Sequence, residues 1–171
     1  MGLFDKLTGT KRPASGVAPR PAEEVRAALL GLNGTEVPYV VRSGASEGAD
    51  LVAEWRISDP AWHTFFARTQ TDRALQIQMR LVPASHEVRA LDRQLEVTWV
   101  GGTPRVAVSA AYSRGQVKTV SRHWTVGRGT GGGLEETEGF RFDSSEIKEP
   151  LRDAVLEAGW TWRGVVSGKR P

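Results

Sequence analysis

The stretch "ALQIQMRLVPASHEVRALDRQLEVTWV" (residues 74–100) decides the fold. Apolar side chains occupy every second position of its first part, at Leu75, Ile77, Met79 and Leu81, with Gln76, Gln78 and Arg80 between them. A period of two predicts a strand with one apolar face. After the turn "PASH" the same alternation returns, with Leu95, Val97 and Trp99 opposite Gln94, Glu96 and Thr98. The stretch therefore predicts an antiparallel hairpin.

Shorter segments on both sides of this hairpin repeat the alternation. They are "VPYVVRS" (37–43), "ADLVAEWRI" (49–57), "RVAVSAAYS" (105–113), "VKTVSRHWTV" (117–126) and the pair Phe140 and Phe142. Tight turns such as "GASEG" and "GGTP" join them, which favours an antiparallel meander with one wet face. We expect an α+β fold in which about 7–10 strands form a strongly curved sheet or a barrel.

Three helices are expected beside the strands. "PAEEVRAALLGLNG" (21–34) predicts an N-terminal helix that Asn33-Gly34 ends, and "SDPAWHTFFART" (58–69) predicts a short middle helix. Asp143 and Glu146 have capping-box spacing, but Pro150 is unfavourable inside a helix. We therefore expect a turn at residues 144–148 and a helix from Pro150 to Ala158.

A closing strand, "WTWRGVV" (160–166), follows the stop at Gly159. Trp160 and Trp162 lie two residues apart and so share one face of the strand. Each indole buries on the order of 200 Å² when it is enclosed. We interpret the pair as a seal of the core rather than as a ligand platform.

Composition indicates one domain. A basic leader covers residues 1–20, which we expect to be flexible; the single α+β domain covers 21–167 and a tail 168–171. The chain has a formal charge of +3, all of it in the leader, because residues 21–171 hold equal numbers of basic and acidic side chains. This argues against nucleic acid as a partner. Without cysteine or a long apolar run, the predicted location is the cytoplasm, with peripheral membrane contact as an alternative.

Chemistry-bearing motifs are sparse. "GRGTGG" (127–132) matches G-x-G-x-x-G, but the acidic "LEETEGF" follows it instead of a helix, so we interpret it as a hairpin loop. The three histidines, His63, His86 and His123, lack metal-ligand spacing. We predict no catalytic residue, metal or cofactor, and only nominal pocket candidates at Glu54, Arg122 and His123.

The meander followed by "FRFDSSEIKEPLRDAVLEAGWTWRGVV" (140–166) resembles the tubby-like and scramblase-related β-barrels in element order, over roughly residues 36–166. The resemblance implies a many-stranded barrel around one helix, and phospholipid or membrane-surface binding. The chain departs from these barrels in its helix. The helix inside such a barrel is apolar on all sides, whereas here Arg152, Asp153 and Glu157 supply a polar face. With many arginines and few lysines, the chain also resembles cytoplasmic proteins of actinobacteria, which implies no activity.

Three functions follow as hypotheses. The first is a non-enzymatic binding or scaffold domain that uses a sheet surface, with Trp55, Trp62 and Trp124 as the candidate ligand or partner surface. The second is peripheral phospholipid binding, with membrane contact through Leu3, Phe4, Lys6, Lys11 and Arg12. The third is a small-ligand carrier or enzyme with a pocket inside the curved sheet. The expected partner is an unidentified protein or lipid, and an edge strand offers a route to oligomers.

Overall fold

The structure, a computed structural model, describes residues 3–62, 66, 73–108, 127–128, 134–135 and 144–166. Its helices are α1 (Leu3–Thr8), α2 (Ala22–Leu30) and α3 (Ser144–Glu157). Its strands are β1 (Tyr39–Ser43), β2 (Leu51–Trp55), β3 (Arg73–Val82), β4 (Glu87–Val100), β5 (Thr103–Val108), β6 (Gly127–Arg128), β7 (Leu134–Glu135) and β8 (Thr161–Val165). The predicted α+β class is confirmed, with a curled, mainly antiparallel sheet and a helix before the closing strand.

The central sheet is a meander in which β1, β2, β3, β4 and β5 are neighbours in that order. Its centre is the β3–β4 hairpin, paired without interruption from Arg73 opposite Glu96 to Val82 opposite Glu87. The hairpin turns at residues 83–86. His86 has φ 47° there, a conformation that residues other than glycine seldom adopt. The alternation in the sequence therefore predicts both the strands and their pairing.

The closing strand β8 is parallel to its neighbour, which differs from an all-antiparallel meander. It pairs with the first part of β4, from Glu87 to Leu91, while β5 pairs with the last part, from Leu95 to Val100. A parallel pair needs a long crossover connection rather than a hairpin. Helix α3 lies in that connection, so the chain can return to β4 in the same direction.

Helices α2 and α3 pack on one side of the sheet, which we call the helix face. Its strand residues are Tyr39, Val41, Leu51, Ala53, Leu75, Ile77, Met79, Val88, Ala90 and Trp162, all buried. Val25 and Leu29 of α2 and Ile147, Leu151 and Val155 of α3 cover them. Trp160 and Trp162 are 1% and 3% exposed in this cluster. The interpretation of the two indoles as a core seal is confirmed.

Helix α3 begins at Ser144, so the expected start at Pro150 is wrong. The apolar stripe extends one turn towards the N-terminus through Ile147, which is fully buried. Burying an isoleucine contributes about 1.5–3 kcal/mol, comparable to the roughly 3 kcal/mol that an interior proline costs. The added turn thus offsets the hydrogen bond that Pro150 cannot donate. On α2, the predicted end at Asn33-Gly34 is also late, because the helix stops at Leu30 with Gly31 as its C-cap.

The N-terminal segment is attached to the domain through its backbone. Lys11 and Trp162 exchange two hydrogen bonds, from Lys11 N to Trp162 O at 2.8 Å and from Trp162 N to Lys11 O at 2.9 Å. Arg20 N donates to Ala158 O at 2.9 Å, and the Trp160 indole Nε1 donates to Arg20 O at 2.8 Å. Flexibility of residues 1–20 stays a prediction, but Lys11 and Arg20 are docked against the end of α3 and β8.

Gly159 explains why the chain can turn tightly beneath this segment. Its φ of +76° suits glycine, and a Cβ atom there would lie 2.6 Å from Ala18 O. The predicted helix stop at Gly159 therefore serves a second purpose, since it makes room for residues 18 and 19.

A second apolar cluster lies on the opposite side of the sheet. It contains Ile57, Trp62, Phe66, Ala74, Leu95 and Val97. The predicted middle helix falls only partly within the described residues, of which 60–62 and 66 are helical. The predicted strand 117–126, the end of 105–113, and Phe140 and Phe142 lie outside the described residues. Among the helices that are described, none has the length and apolar character needed to cross a membrane.

Candidate functional site

A cavity of about 570 Å³ opens on the side of the sheet opposite α2 and α3. We call this side the cavity face. Its walls come from all five strands of the meander and from the turn after β2, and they include Glu54, Trp55, Arg56, Gln76, Leu95 and Val106. The curl of the sheet brings β1 and β5 to the same hollow although they are not neighbours.

Register explains why one row of side chains lines the hollow. Val40 lies opposite Glu54, and Glu54 lies opposite Gln76, so the three residues cross β1, β2 and β3 in line. Directly opposed residues of an antiparallel pair share a face, with Cβ atoms about 4.5–5.5 Å apart. Residues that are 14 and 22 positions apart in sequence therefore meet at one wall.

Hydrogen bonds join the polar side chains of this face into a continuous series, which we call the polar chain. Gln78 Nε2 donates to Gln76 Oε1 at 3.1 Å, and Gln76 Nε2 donates to Glu54 Oε2 at 2.9 Å. Arg42 Nε donates to Glu54 Oε1 at 2.9 Å, and Arg42 Nη2 donates to Glu47 Oε1 at 2.6 Å. Every link pairs a donor with an acceptor, so burial of the amides is compensated.

Electrostatics in the polar chain centre on one guanidinium between two carboxylates. Hydrogen bonds with Glu47 and Glu54 raise the pKa of Arg42 above its ordinary value, so its charge is fixed. The hydrogen bond from Arg42 lowers the pKa of Glu47 to about 2. The polar chain itself thus holds one more carboxylate than cations, and Arg93 of β4, opposite Gln76 on the same face, balances it. Nearby, Arg56 and Asp59 form their own ion pair, with Nη1 and Oδ2 3.6 Å apart.

The remaining walls of the cavity are apolar. Leu95, Val106 and Ile57 belong to them, and Trp55 contributes a half-buried indole whose ring centre lies 6.5 Å from that of Phe66. The hollow is consequently amphipathic, with a hydrogen-bonding wall at Glu54 and Gln76 beside apolar side chains from β1, β4, β5 and the end of β2.

The three tryptophans of the predicted binding surface have different positions. Trp55 lies in the cavity wall. Trp62 is 3% exposed and packs in the second apolar cluster, so its ring is enclosed. Trp124 lies outside the described residues, as do the nominal candidates Arg122 and His123. Glu54 is the nominal candidate that the structure places in the cavity.

The residues predicted for membrane contact lie on and after α1. Leu3 is 76% exposed, and Lys6, Lys11 and Arg12 are also exposed. Arg12 pairs with Asp5, with Nη2 and Oδ2 3.3 Å apart. The side chain of Phe4 lies outside the described part of the structure.

Gln76, Arg56, Leu95 and Val106 line the cavity but were not predicted as cavity residues from the sequence. The prediction of one wet face is also wrong in part, because Gln76 and Gln78 are only 7% exposed. Both are amides between apolar neighbours, and an uncharged side chain at these positions is the signal that could have indicated burial. Paired amides satisfy each other, whereas lysines or glutamates there would have stayed in water.

The outer edge of β1, a candidate route to oligomers, is capped by side chains. Asn33 Nδ2 donates to Val41 O at 2.8 Å, and Val41 N donates to Asn33 Oδ1 at 2.7 Å. Arg56 Nε donates to Tyr39 O at 2.9 Å. Edge strands recruit partners through unpaired backbone groups, and these groups are engaged. Oligomerisation through an edge strand stays a prediction.

Metal binding has no support in the part of the chain that the structure describes, where no cluster of three His, Asp or Glu side chains is suitably placed. His86, the one histidine in that part, packs edge-on against Trp160 with ring centres 5.8 Å apart.

Comparisons with family models, curated proteins and solved structures found no match to this chain.

Proposed function

We propose that the protein is a non-enzymatic binding domain that holds a small amphipathic molecule in the cavity of its curled sheet. The observation that carries this proposal is the hollow of about 570 Å³ with one polar and one apolar wall. Pockets for small molecules usually measure about 300–1,000 Å³ and combine apolar walls with a few positioned polar groups. The cavity fits that description in size and in lining.

The polar wall favours a head group that donates hydrogen bonds. The guanidinium of Arg42 already donates hydrogen bonds to Glu47, to Glu54 and to Ser43 O. Arg93 of β4 lies opposite Gln76 on this face and balances the second carboxylate of the polar chain, so the wall carries no net charge. A neutral molecule with an apolar body therefore suits the cavity better than a carboxylate or a phosphate does.

Binding is a better fit than catalysis because of how Glu54 is held. Both of its carboxylate oxygens accept hydrogen bonds, Oε1 from Arg42 and Oε2 from Arg42 and Gln76. A general acid or base must reach the proton that it moves, whereas a carboxylate engaged on both sides serves to position and to attract.

A cavity-filling variant tests the proposal. The side chain of Val106 lines the cavity and is 43% exposed, so Val106→Trp narrows the hollow without disturbing the core. The matched control is Val100→Trp, since Val100 is 50% exposed on the same hairpin and outside the cavity lining. Fluorescence titration with the uncharged dye Nile red, and with the anionic dye 8-anilinonaphthalene-1-sulfonate, measures occupancy of the cavity.

We expect Nile red to bind the native protein more tightly than the anionic dye, and Val106→Trp to weaken Nile red binding by at least about tenfold, the equivalent of roughly 1.4 kcal/mol. Val100→Trp should bind as the native protein does. Equal binding by both variants, or no dye binding at all, would refute the proposal.

Peripheral phospholipid binding is a second candidate, favoured by the exposure of Leu3 beside Lys6, Lys11 and Arg12. An apolar side chain among basic ones suits an anionic membrane surface, although one short helix gives only weak binding. Leu3→Ser should then reduce co-sedimentation with phosphatidylserine vesicles at low salt, and unchanged retention would remove this candidate. The cytoplasm stays the proposed location.

A further inference from the structure

Three arginines stand in direct register on the cavity face, away from the cavity itself. Arg80 of β3 lies opposite Arg89 of β4, and Arg89 lies beside Arg163 of β8. We call them the arginine row. Like charges placed directly opposite each other on neighbouring strands destabilise a sheet. A row of three such side chains therefore has an energetic cost that the fold itself does not explain.

One buried carboxylate organises two members of the row. Glu87, 4% exposed, accepts Arg89 Nε on Oε1 and Arg163 Nε on Oε2, each at 2.7 Å. Burial raises the pKa of Glu87, but the hydrogen bonds from Arg163 and Arg89 outweigh that effect and lower it overall. The carboxylate is therefore ionised at neutral pH and fixes both guanidiniums from one side.

The row carries more positive charge than its surroundings balance. Glu87 is the acidic partner of both Arg89 and Arg163, while Arg80 donates to Gly48 O at 2.7 Å and forms no ion pair with a described residue. Glu87 engages only Nε of each guanidinium, and the terminal Nη groups of Arg89 and Arg163 make no hydrogen bond to described residues. Both of these side chains are 41% exposed.

We propose that the arginine row binds the phosphate group of a phosphate monoester. Guanidinium groups match phosphate oxygens through paired, charge-assisted hydrogen bonds, and a compact set of arginines suits a single multivalent anion. A nucleic-acid backbone fits less well, because it needs a longer basic track and the charges of residues 21–171 otherwise cancel.

The arginine row is separate from the cavity. Arg80 lies four residues from Gln76 along β3, which corresponds to roughly 13 Å at the rise of a strand. Since the cavity suits an uncharged molecule and the row attracts anions, the two sites call for different ligands. The inference therefore does not depend on the proposed function, and a cavity-filling variant can show this.

Titration calorimetry with glycerol 3-phosphate at low ionic strength tests the row, with phosphatidic acid vesicles as the lipid arm. The variants are Arg163→Gln and Arg80→Gln, of which Arg80→Gln leaves the Glu87 ion pairs intact and guards against misfolding. The matched control is Arg105→Gln, which removes the same charge from an exposed position on β5. Losing a charge-assisted hydrogen bond typically weakens binding by about tenfold or more.

We expect each row variant to weaken glycerol 3-phosphate binding by about tenfold, and Arg105→Gln and Val106→Trp to bind as the native protein does. If the protein binds phosphatidic acid vesicles through the row but not the soluble monoester, the phosphate belongs to a lipid headgroup, and the proposal stands. It is overturned if neither form binds, if the row variants bind like the native protein, or if Arg105→Gln weakens binding equally.

Discussion

The two faces of the sheet are built from the same strands but are stabilised differently. On the helix face, Ile77 and Met79 are fully buried against α2 and α3 in an apolar cluster, which the ion pair of Asp92 and Lys148 borders. On the cavity face of the same strand, Gln76 and Gln78 are almost as enclosed, at 7% exposure, yet belong to the polar chain. Equal burial therefore does not mean equal chemistry.

The difference teaches which face is free to specify a ligand. Apolar burial is non-directional and roughly proportional to area, so the helix face tolerates exchange among side chains of similar volume. A buried polar group stabilises only while its partners stay in place, since an unsatisfied one costs about 1–3 kcal/mol. The cavity face thus tolerates fewer side-chain exchanges than the helix face, because its donors and acceptors must keep their positions.

The largest effect should come from the helix face. Ile77→Ala removes a fully buried side chain from the centre of the sheet and should lower the free energy of unfolding by about 2–5 kcal/mol. Ile77→Val, which removes one methylene, should cost about 0.5–1.5 kcal/mol. Urea unfolding measures both. A loss below 1 kcal/mol for Ile77→Ala would mean that α2 and α3 do not enclose this face.

An intermediate effect should come from the neighbouring position on the cavity face. Gln76→Leu keeps the volume but deprives Gln78 Nε2 of its acceptor and Glu54 of a donor, at a cost of about 1–3 kcal/mol. Gln94→Leu is the control, because Gln94 lies on β4, is half-buried and makes no side-chain hydrogen bond to a described residue. Equal stability of the two variants would show that the polar chain contributes nothing.

Sequence alone predicted the helix face better than the cavity face. Period-two alternation in β3 and β4 identifies which residues share a side, and the i, i+4 spacing of Leu151 and Val155 identifies the covering stripe of α3. The period of two also predicted that Trp160 and Trp162 share one face of β8. The start of α3 was missed because Pro150 was given more weight than Ile147, although burial of Ile147 offsets the cost of the proline.

The cavity and the arginine row could not be predicted because both depend on register. Arg80, Arg89 and Arg163 are neighbours only because β8 returns parallel to β4, a choice that no local pattern encodes. The cavity likewise needs the curl that brings Val106 towards Val40. Non-local pairing fixes these sites, whereas propensity and period describe one segment at a time.

The smallest effect should be the pH dependence of the polar chain. Hydrogen bonding to Arg42 lowers the pKa of Glu47 from 4.5 to about 2 in the folded protein. A carboxylate with a lowered folded-state pKa binds fewer protons than in the unfolded chain, so it stabilises above pH 4.5 and loses that contribution as pH falls towards 2. Because Glu47 and Arg42 are partly exposed, the contribution should not exceed about 1 kcal/mol. Glu47→Gln should thus lower the unfolding temperature at pH 7 and match the native protein near pH 2, whereas Glu149→Gln, at an exposed position in the interior of α3, should match it throughout. A Glu47→Gln deficit that persists undiminished at pH 2 would assign the stabilisation to something other than the ionised carboxylate.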